Sequence, residues 1–323
     1  MKFSANSLKK LIKGACYFET KRGYLISFKY SRAQLDMMDK EGYDDFWRIR
    51  GNISAGIRIE FITDSSFVSF DYNACVGTTL LDRSNSVDIW IDGVLYSAMH
   101  LEKDRGSLRV DLPEGEKRVS IYFPCDSQFW VKNFTIDGRY KSVKDKGPKV
   151  LVIGDSITQG YGPMISSGSY FNELQRQTGY NMLNQGIGGY RCEAGDLMYV
   201  DGFVPDKIIT FLGTNWYDAE DVYPYEKATA DFYKRLTELY PDKQIIAVSP
   251  LWRADEGFNP ERFAWCRAVV EKECKKYENI TFVDGFTLVP HVFECFCDKL
   301  HPNEYGCLLL ATNIRNEMKK IKF

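Results

Sequence analysis

The sequence predicts two domains: an antiparallel β-sandwich over residues 1–145, then an α/β domain with a parallel sheet over 146–323. Three observations predict this. Between about residues 53 and 136 the hydrophobic pattern has the period of two that belongs to strands. From residue 150 onward short apolar runs alternate with helical stretches, the pattern of a parallel sheet covered on both faces. The length of 323 residues exceeds one typical core and suits two.

In the first region the strand-like runs are AGIRIEFIT, SSFVSFDYNA, SVDIWIDGVLYSAMHLE, GSLRVDLPEGEKRVSIYFP and FWVKNFTIDG. Val87-Asp88-Ile89-Trp90-Ile91 is the clearest, with one set of side chains directed inward and the other outward. Asp92-Gly93 and Pro113-Glu114-Gly115 are hairpin turns between such runs. Residues 1–52 show less pattern, apart from a short helix at SRAQLDMMDK. The lysine-rich segment DGRYKSVKDKGPK, residues 137–149, contains Gly and Pro and marks the boundary. Beyond it VLVIG, NMLNQ, KIITFLG, QIIAVSP and ITFVDG read as strands. Helices are expected at SYFNELQRQTG, EKATADFYKRLTELY, NPERFAWCRAVVEKECKKY and NEYGCLLLATNIRNEMKK.

Composition narrows the function classes. Lys plus Arg number 42 and Asp plus Glu 44, so the formal net charge is −2 and a nucleic-acid binder is not expected. Aromatic residues are 15% of the chain, with 20 Tyr and 6 Trp, which suits cores and polar-edged binding surfaces equally. The nine cysteines (Cys16, Cys75, Cys125, Cys192, Cys266, Cys274, Cys295, Cys297 and Cys307) lack the spacing of a disulfide framework and suit reduced thiols. Cys295-Phe296-Cys297 has no second pair to complete a zinc site, so neither a metal nor a cofactor is expected. The N-terminus has lysines but no apolar h-region, and no stretch is apolar enough to span a membrane. A cytoplasmic location without membrane partners is the expectation.

In parallel sheets, sites form at the carboxyl ends of strands, and VLVIGDSITQG delivers Ser156 to such an end. A serine nucleophile needs a base within reach, and the chain has only His100, His291 and His301. His100 falls in the sandwich, and His291 has no acid closely before it. His301 follows Asp298 by three residues in CDKLHPNEYG, a spacing that lets the carboxylate fix the ring tautomer. Read alone, Asp298 and Asn303 serve equally as turn or cap residues. NQGIGGYR and FLGTNW supply a glycine-dense loop and the Asn215 amide at two more strand ends, where an oxyanion would need donors.

Taken together these blocks resemble the SGNH hydrolase superfamily, the GDSL-type esterases, over roughly residues 146–323. The resemblance rests on Gly154-Asp155-Ser156, on the 184–191 loop, on Gly213-Thr214-Asn215 and on Asp298-x-x-His301, all in family order. It implies a three-layer flavodoxin-like domain with Ser156, His301 and Asp298 catalytic. Gly189 and Asn215 would form the oxyanion hole, with Gly186 the alternative glycine. Asp155 is expected to cap the nucleophile turn. The family's usual Asp after the third-block Asn is replaced by Trp216, which resembles two-domain members that carry an N-terminal, jelly-roll-like sandwich and deacetylate carbohydrates.

Trp216, Tyr190, Trp252 and Arg253 are the candidate substrate-binding residues. The alternative is that Trp252 is core and that Arg253 pairs with Asp255 or Glu256. The expected substrate is a small ester, an acetylated sugar, hydrolysed through an acyl-enzyme. A lipid or thioester acyl hydrolase, or a carbohydrate-binding protein with a vestigial site, are the alternatives. The sandwich is compatible with ligand binding, with a structural role and with homo-oligomer formation.

Overall fold

The computed structural model describes residues 1–39, 45–76, 83–191, 193–217, 223–254 and 259–323. It divides into two compact units. One comprises Met1–Lys146 with Met164–Ser167, the other Gly147–Pro163 with Gly168–Phe323.

The first unit is built from two antiparallel sheets. Its strands are β1 (Ile12–Lys13), β2 (Tyr17–Lys21), β3 (Tyr24–Phe28), β4 (Arg58–Thr63), β5 (Phe67–Val76), β6 (Ser86–Ile91), β7 (Val94–His100), β8 (Arg105–Asp111), β9 (Lys117–Tyr122), β10 (Ser127–Ile136) and β11 (Tyr140–Ser142). One sheet runs β2-β3-β10-β5-β8; the other runs β1-β4-β9-β6-β7, with β11 on β4. Alternate residues of both sheets, among them Ile59, Phe61, Phe70, Ile89, Ile121, Phe129 and Phe134, form one buried cluster. Asp92 and Gly93 both take positive φ, 51° and 84°, as the tight β6–β7 turn requires.

Three helices accompany the sheets: α1 (Ala5–Lys9), α2 (Arg32–Met38) and α3 (Asp45–Gly51). α2 lies where a helix is expected and opens with a Ser31/Gln34 capping box. Sequence pattern does not anticipate β1 to β3. Each is five residues or shorter, too short for alternation to stand out.

The polar members of the β6 alternation are not solvent-facing. Ser86 and Asp88 are buried because the segment 164–167 lies against them. Ser166 N–H donates to Ser86 Oγ at 2.8 Å, and Ser167 N–H to Asp88 Oδ2 at 2.6 Å. The Ser166 hydroxyl donates to Ser84 O at 2.9 Å and accepts from the N–H groups of Ser86 and Cys125 at 3.1 and 3.3 Å.

The second unit has five parallel strands: β12 (Lys149–Gly154), β13 (Asn181–Gly186), β14 (Lys207–Phe211), β15 (Gln244–Val248) and β16 (Ile280–Val283). Their order is β13-β12-β14-β15-β16, the doubly wound order in which the first two strands are exchanged. The connecting helices are α4 (Ser156–Gln159), α5 (Tyr170–Thr178), α6 (Tyr223–Leu239), α7 (Pro260–Cys274) and α8 (Glu304–Lys320). Val150, Val152, Ile209, Phe211, Ile246 and Val248 pack with residues of α5 and α8 on one face. On the other face Thr210 meets Tyr233 of α6, hydroxyl to hydroxyl, at 3.1 Å. Among the described residues no helix is long and apolar enough to cross a membrane.

Replacing Ser166 by alanine takes the acceptor from the Ser86 N–H and the donor from Ser84 O at a buried site. A loss of about 1–3 kcal/mol in urea-melt stability is expected, and an unchanged midpoint would refute the clamp.

Candidate active site

β12 brings four buried residues, Val150 to Ile153, to Gly154, and Asp155 then turns the chain into α4. Asp155 Oδ1 accepts the Ile157 N–H at 3.0 Å, as an N-cap does. Ser156 is the first residue of this helix, so no earlier turn accepts its N–H.

The helix is seated directly on strand ends. A Cβ on Gly154 would lie 2.0 Å from Thr158 Oγ1, and one on Gly186 would lie 2.3 Å from the Gln159 nitrogen. Asn184 Nδ2 donates to Thr158 O at 2.7 Å, and Gly188 N–H to Gln159 Oε1 at 2.9 Å.

The hydroxyl of Ser156 lies 2.8 Å from His301 Nε2, and His301 Nδ1 lies 2.7 Å from Asp298 Oδ2. The loop that carries this pair is bonded to itself. Asp298 Oδ1 accepts the N–H groups of Leu300 and His301 at 2.8 and 2.7 Å, and Cys297 N–H donates to His301 O at 2.9 Å. Asn303 caps α8 through the Gly306 N–H at 3.0 Å. With Nδ1–H held by the carboxylate, Nε2 is left to accept from Ser156.

The 186–191 loop and the turn after β14 meet. Asn215 Nδ2 donates to Tyr190 O at 3.0 Å, which leaves its second amide hydrogen available. Gly186 N–H donates to Asn184 Oδ1 at 2.8 Å. Gly189, at φ 84°, has no hydrogen-bond partner for its N–H among the described residues.

Three of the four residues assigned to the substrate wall are buried and bonded to main-chain carbonyls. Tyr190 and Trp216 are buried, and the Trp216 indole N–H donates to Arg191 O at 2.7 Å. Arg253 is buried as well, donating to Thr214 O at 3.2 Å with its guanidinium 4.4 Å from the Tyr217 ring. Asp255 and Glu256, its alternative partners, lie outside the described residues. These side chains therefore hold the loops that carry the donors. Trp252 is half-buried and stacks on His291 with centroids 5.4 Å apart. His291 itself is held by Phe286 O at 2.7 Å, and His100 ends β7 in the first unit.

Sequence reasoning passed over Tyr161 and Gly162. The Tyr161 ring stands edge-on to His301 at 4.6 Å, and a Cβ on Gly162 would lie 2.3 Å from Pro302 O. The two glycines that flank Tyr161 were the available signal. Among the described residues no group of three or more His, Cys, Asp or Glu is placed to hold a metal.

The two carboxyls titrate in opposite directions. Burial pushes Asp298 upward, but the His301 ring N–H, the His301 charge and two backbone N–H groups outweigh it and hold it at about 2. Burial raises Asp155 to about 6, against the opposing pull of the Ile157 N–H and the His301 charge.

Residues 152–307 match the model of the GDSL-like Lipase/Acylhydrolase family. No curated protein is similar enough to the chain to match. Among solved structures, a salicylyl-acyltransferase from a tetracycline biosynthetic pathway is 19% identical over 96% of this chain and 94% of its own, with a TM-score of 0.78. A family two carbohydrate esterase from Clostridium thermocellum, in complex with cellohexaose, is 15% identical over 96% and 98%, with a TM-score of 0.70. An acetyl xylan esterase from the rumen bacterium Butyrivibrio proteoclasticus is 17% identical over 99% and 97%, with a TM-score of 0.68. At these identities the likeness is one of fold.

The Asp155 carboxyl is raised in the folded state, so folding binds a proton between its ordinary value of 3.8 and about 6. Its contribution to stability is complete below pH 4 and is lost as pH rises through 6. That loss should be on the order of 2–3 kcal/mol. Asp155→Asn keeps a cap acceptor and removes the titration, so urea melts of the variant should lack this decline. Asp298 is depressed, so its contribution disappears only as pH falls from about 4 toward 2. That acid limb should survive in the variant.

Proposed function

We infer that this chain, a carboxylic ester hydrolase whose residues 152–307 belong to the GDSL-like lipase/acylhydrolase family, removes a short acyl group from a carbohydrate through a covalent acyl-enzyme. The observation that carries the mechanism is the unbroken chain of short hydrogen bonds from Ser156 Oγ through His301 to Asp298.

Ser156 Oγ attacks the ester carbon while its proton passes to His301 Nε2. Asp298, ionised throughout, stabilises the imidazolium and keeps Nδ1–H oriented. The carbonyl oxygen becomes an oxyanion and takes hydrogen bonds from the Ser156 N–H, the Gly189 N–H and the second Asn215 amide hydrogen. The tetrahedral intermediate collapses, and the departing alcohol takes the proton from His301. A water then attacks the acyl-serine, giving its proton to His301, and collapse expels Ser156 Oγ, which takes that proton back from His301 as the carboxylic acid leaves.

Acetate is the acyl group we assign, and the alcohol is a sugar hydroxyl. Support comes from the carbohydrate esterases of like fold and from the half-buried Trp252 beside the His301 loop. We place the reaction in the cytoplasm, on acetylated oligosaccharides after their uptake.

Ser156→Ala and His301→Ala should abolish turnover of p-nitrophenyl acetate and of acetylated xylo-oligosaccharides. A fluorophosphonate probe should label wild type and not the serine variant. Asn215→Ala should lower kcat by roughly 10²–10³ with little change in labelled protein. Rates that rise from acetate to octanoate esters would overturn the short-acyl assignment, and activity retained in both triad variants would overturn the mechanism.

A further inference from the structure

The outer face of the β2-β3-β10-β5-β8 sheet carries residues that packing of the first unit does not require. Leu25, Phe70, Tyr72, Phe129 and Val131 point into the core, so Tyr24, Asp71, Asn73 and Trp130 are turned the other way. The register aligns them in two rows. Trp130, Asn73 and Arg105 lie side by side across β10, β5 and β8. In the next row Lys21 pairs with Tyr24, and Lys132 with Asp71 and Ser107.

The polar groups are held in place before any ligand arrives. Arg105 Nε donates to Asn73 Oδ1 at 2.7 Å, the Trp130 indole N–H to Gln128 Oε1 at 2.9 Å, and Ser107 Oγ to Asp71 Oδ1 at 2.6 Å. Tyr24 and Trp130 form an edge-to-face pair at 6.1 Å. Each ring carries a lysine: Lys132 Nζ lies 4.2 Å from the Tyr24 centroid and Lys21 Nζ 5.7 Å from that of Trp130. A groove of about 390 Å³, lined in part by Asp71, Ser107, Arg109 and Asn133, continues the face.

We propose that this face binds a uronate-bearing oligosaccharide. Aromatic rings offer flat apolar surface to pyranose faces, and fixed amide, hydroxyl and guanidinium groups match sugar hydroxyls and carboxylates. Charge decides between an acidic and a neutral chain. Lys21, Lys132 and Arg105 form no ion pair among the described residues; of the acids, Glu19 and Asp111 are paired with Arg32 and Arg109. Asp71, opposite Lys132, is held by the Ser107 hydroxyl and the Asn133 amide, so three cations face one carboxylate in the two rows. Five strands at the usual spacing extend over roughly 19 Å, which suits an extended chain better than a single sugar. The site is independent of the esterase centre.

The test is titration calorimetry of the full chain with tetragalacturonic acid and with cellotetraose, at low and raised salt. Tetragalacturonic acid should bind, more weakly as salt rises, and cellotetraose should not. Trp130→Ala and the double variant Lys21→Ala/Lys132→Ala should each weaken binding at least tenfold. Their p-nitrophenyl acetate turnover should match wild type, which certifies the fold. No binding of the acidic sugar, equal binding of both sugars, or binding unaltered in both variants would overturn the proposal.

Discussion

The arrangement of the active site depends on a contact that no side-chain movement could relieve. A Cβ at position 186 would sit 2.3 Å from the main-chain nitrogen of Gln159. Two glycines, one on each of two adjacent parallel strands, allow the four-residue helix α4 to rest against the sheet edge. That contact orients Ser156, places Thr158 O under the Asn184 amide and gives Gly188 its acceptor on Gln159. The start of α4, the 186–191 loop and the β13 end thereby form one corner, and main-chain contacts set where the Ser156 Cα lies.

Much of this was legible in the sequence because strand ends in a parallel sheet are marked by abrupt changes from apolar to Gly, Asn or hydroxyl residues. Ser156 and Asn215 stand at such changes, the Asp298/His301 spacing marks its own turn, and hydrogen bonds join Ser156 to that turn. Less legible was the burial of large aromatics and an arginine. Trp216, Tyr190 and Arg253 are chemically equipped for a sugar, but residue type alone cannot say whether a ring at a strand end faces outward or beneath. Here the indole N–H and the guanidinium found carbonyl partners inside, which allows burial without an orphaned donor. The first strands of the sandwich were not visible for a different reason. β1 has two residues and β2 lies at a sheet edge with no buried member, so neither shows a hydrophobic period.

Two neighbouring carboxyls behave in opposite ways, because burial outweighs the donors at Asp155 and the donors outweigh burial at Asp298. Asp298 sits in a turn whose own N–H groups converge on it, so the group that must remain anionic is held so by local main chain as well as by His301. Asp155 also accepts from main-chain N–H groups, but it is completely buried, and its use is to start a helix. Environment, more than residue identity, divides the roles.

The Trp216 indole bonded to the Arg191 carbonyl and the Asn215 amide on the Tyr190 carbonyl tie the 186–191 loop to the turn after β14 through neutral donors, while the Arg253 guanidinium holds Thr214 O. Neutral dipole contacts fall off too steeply for mobile ions to weaken them, whereas interactions between full charges are screened over about 10 Å at moderate salt. The indole and amide ties of the 186–191 loop are therefore insulated from ionic strength.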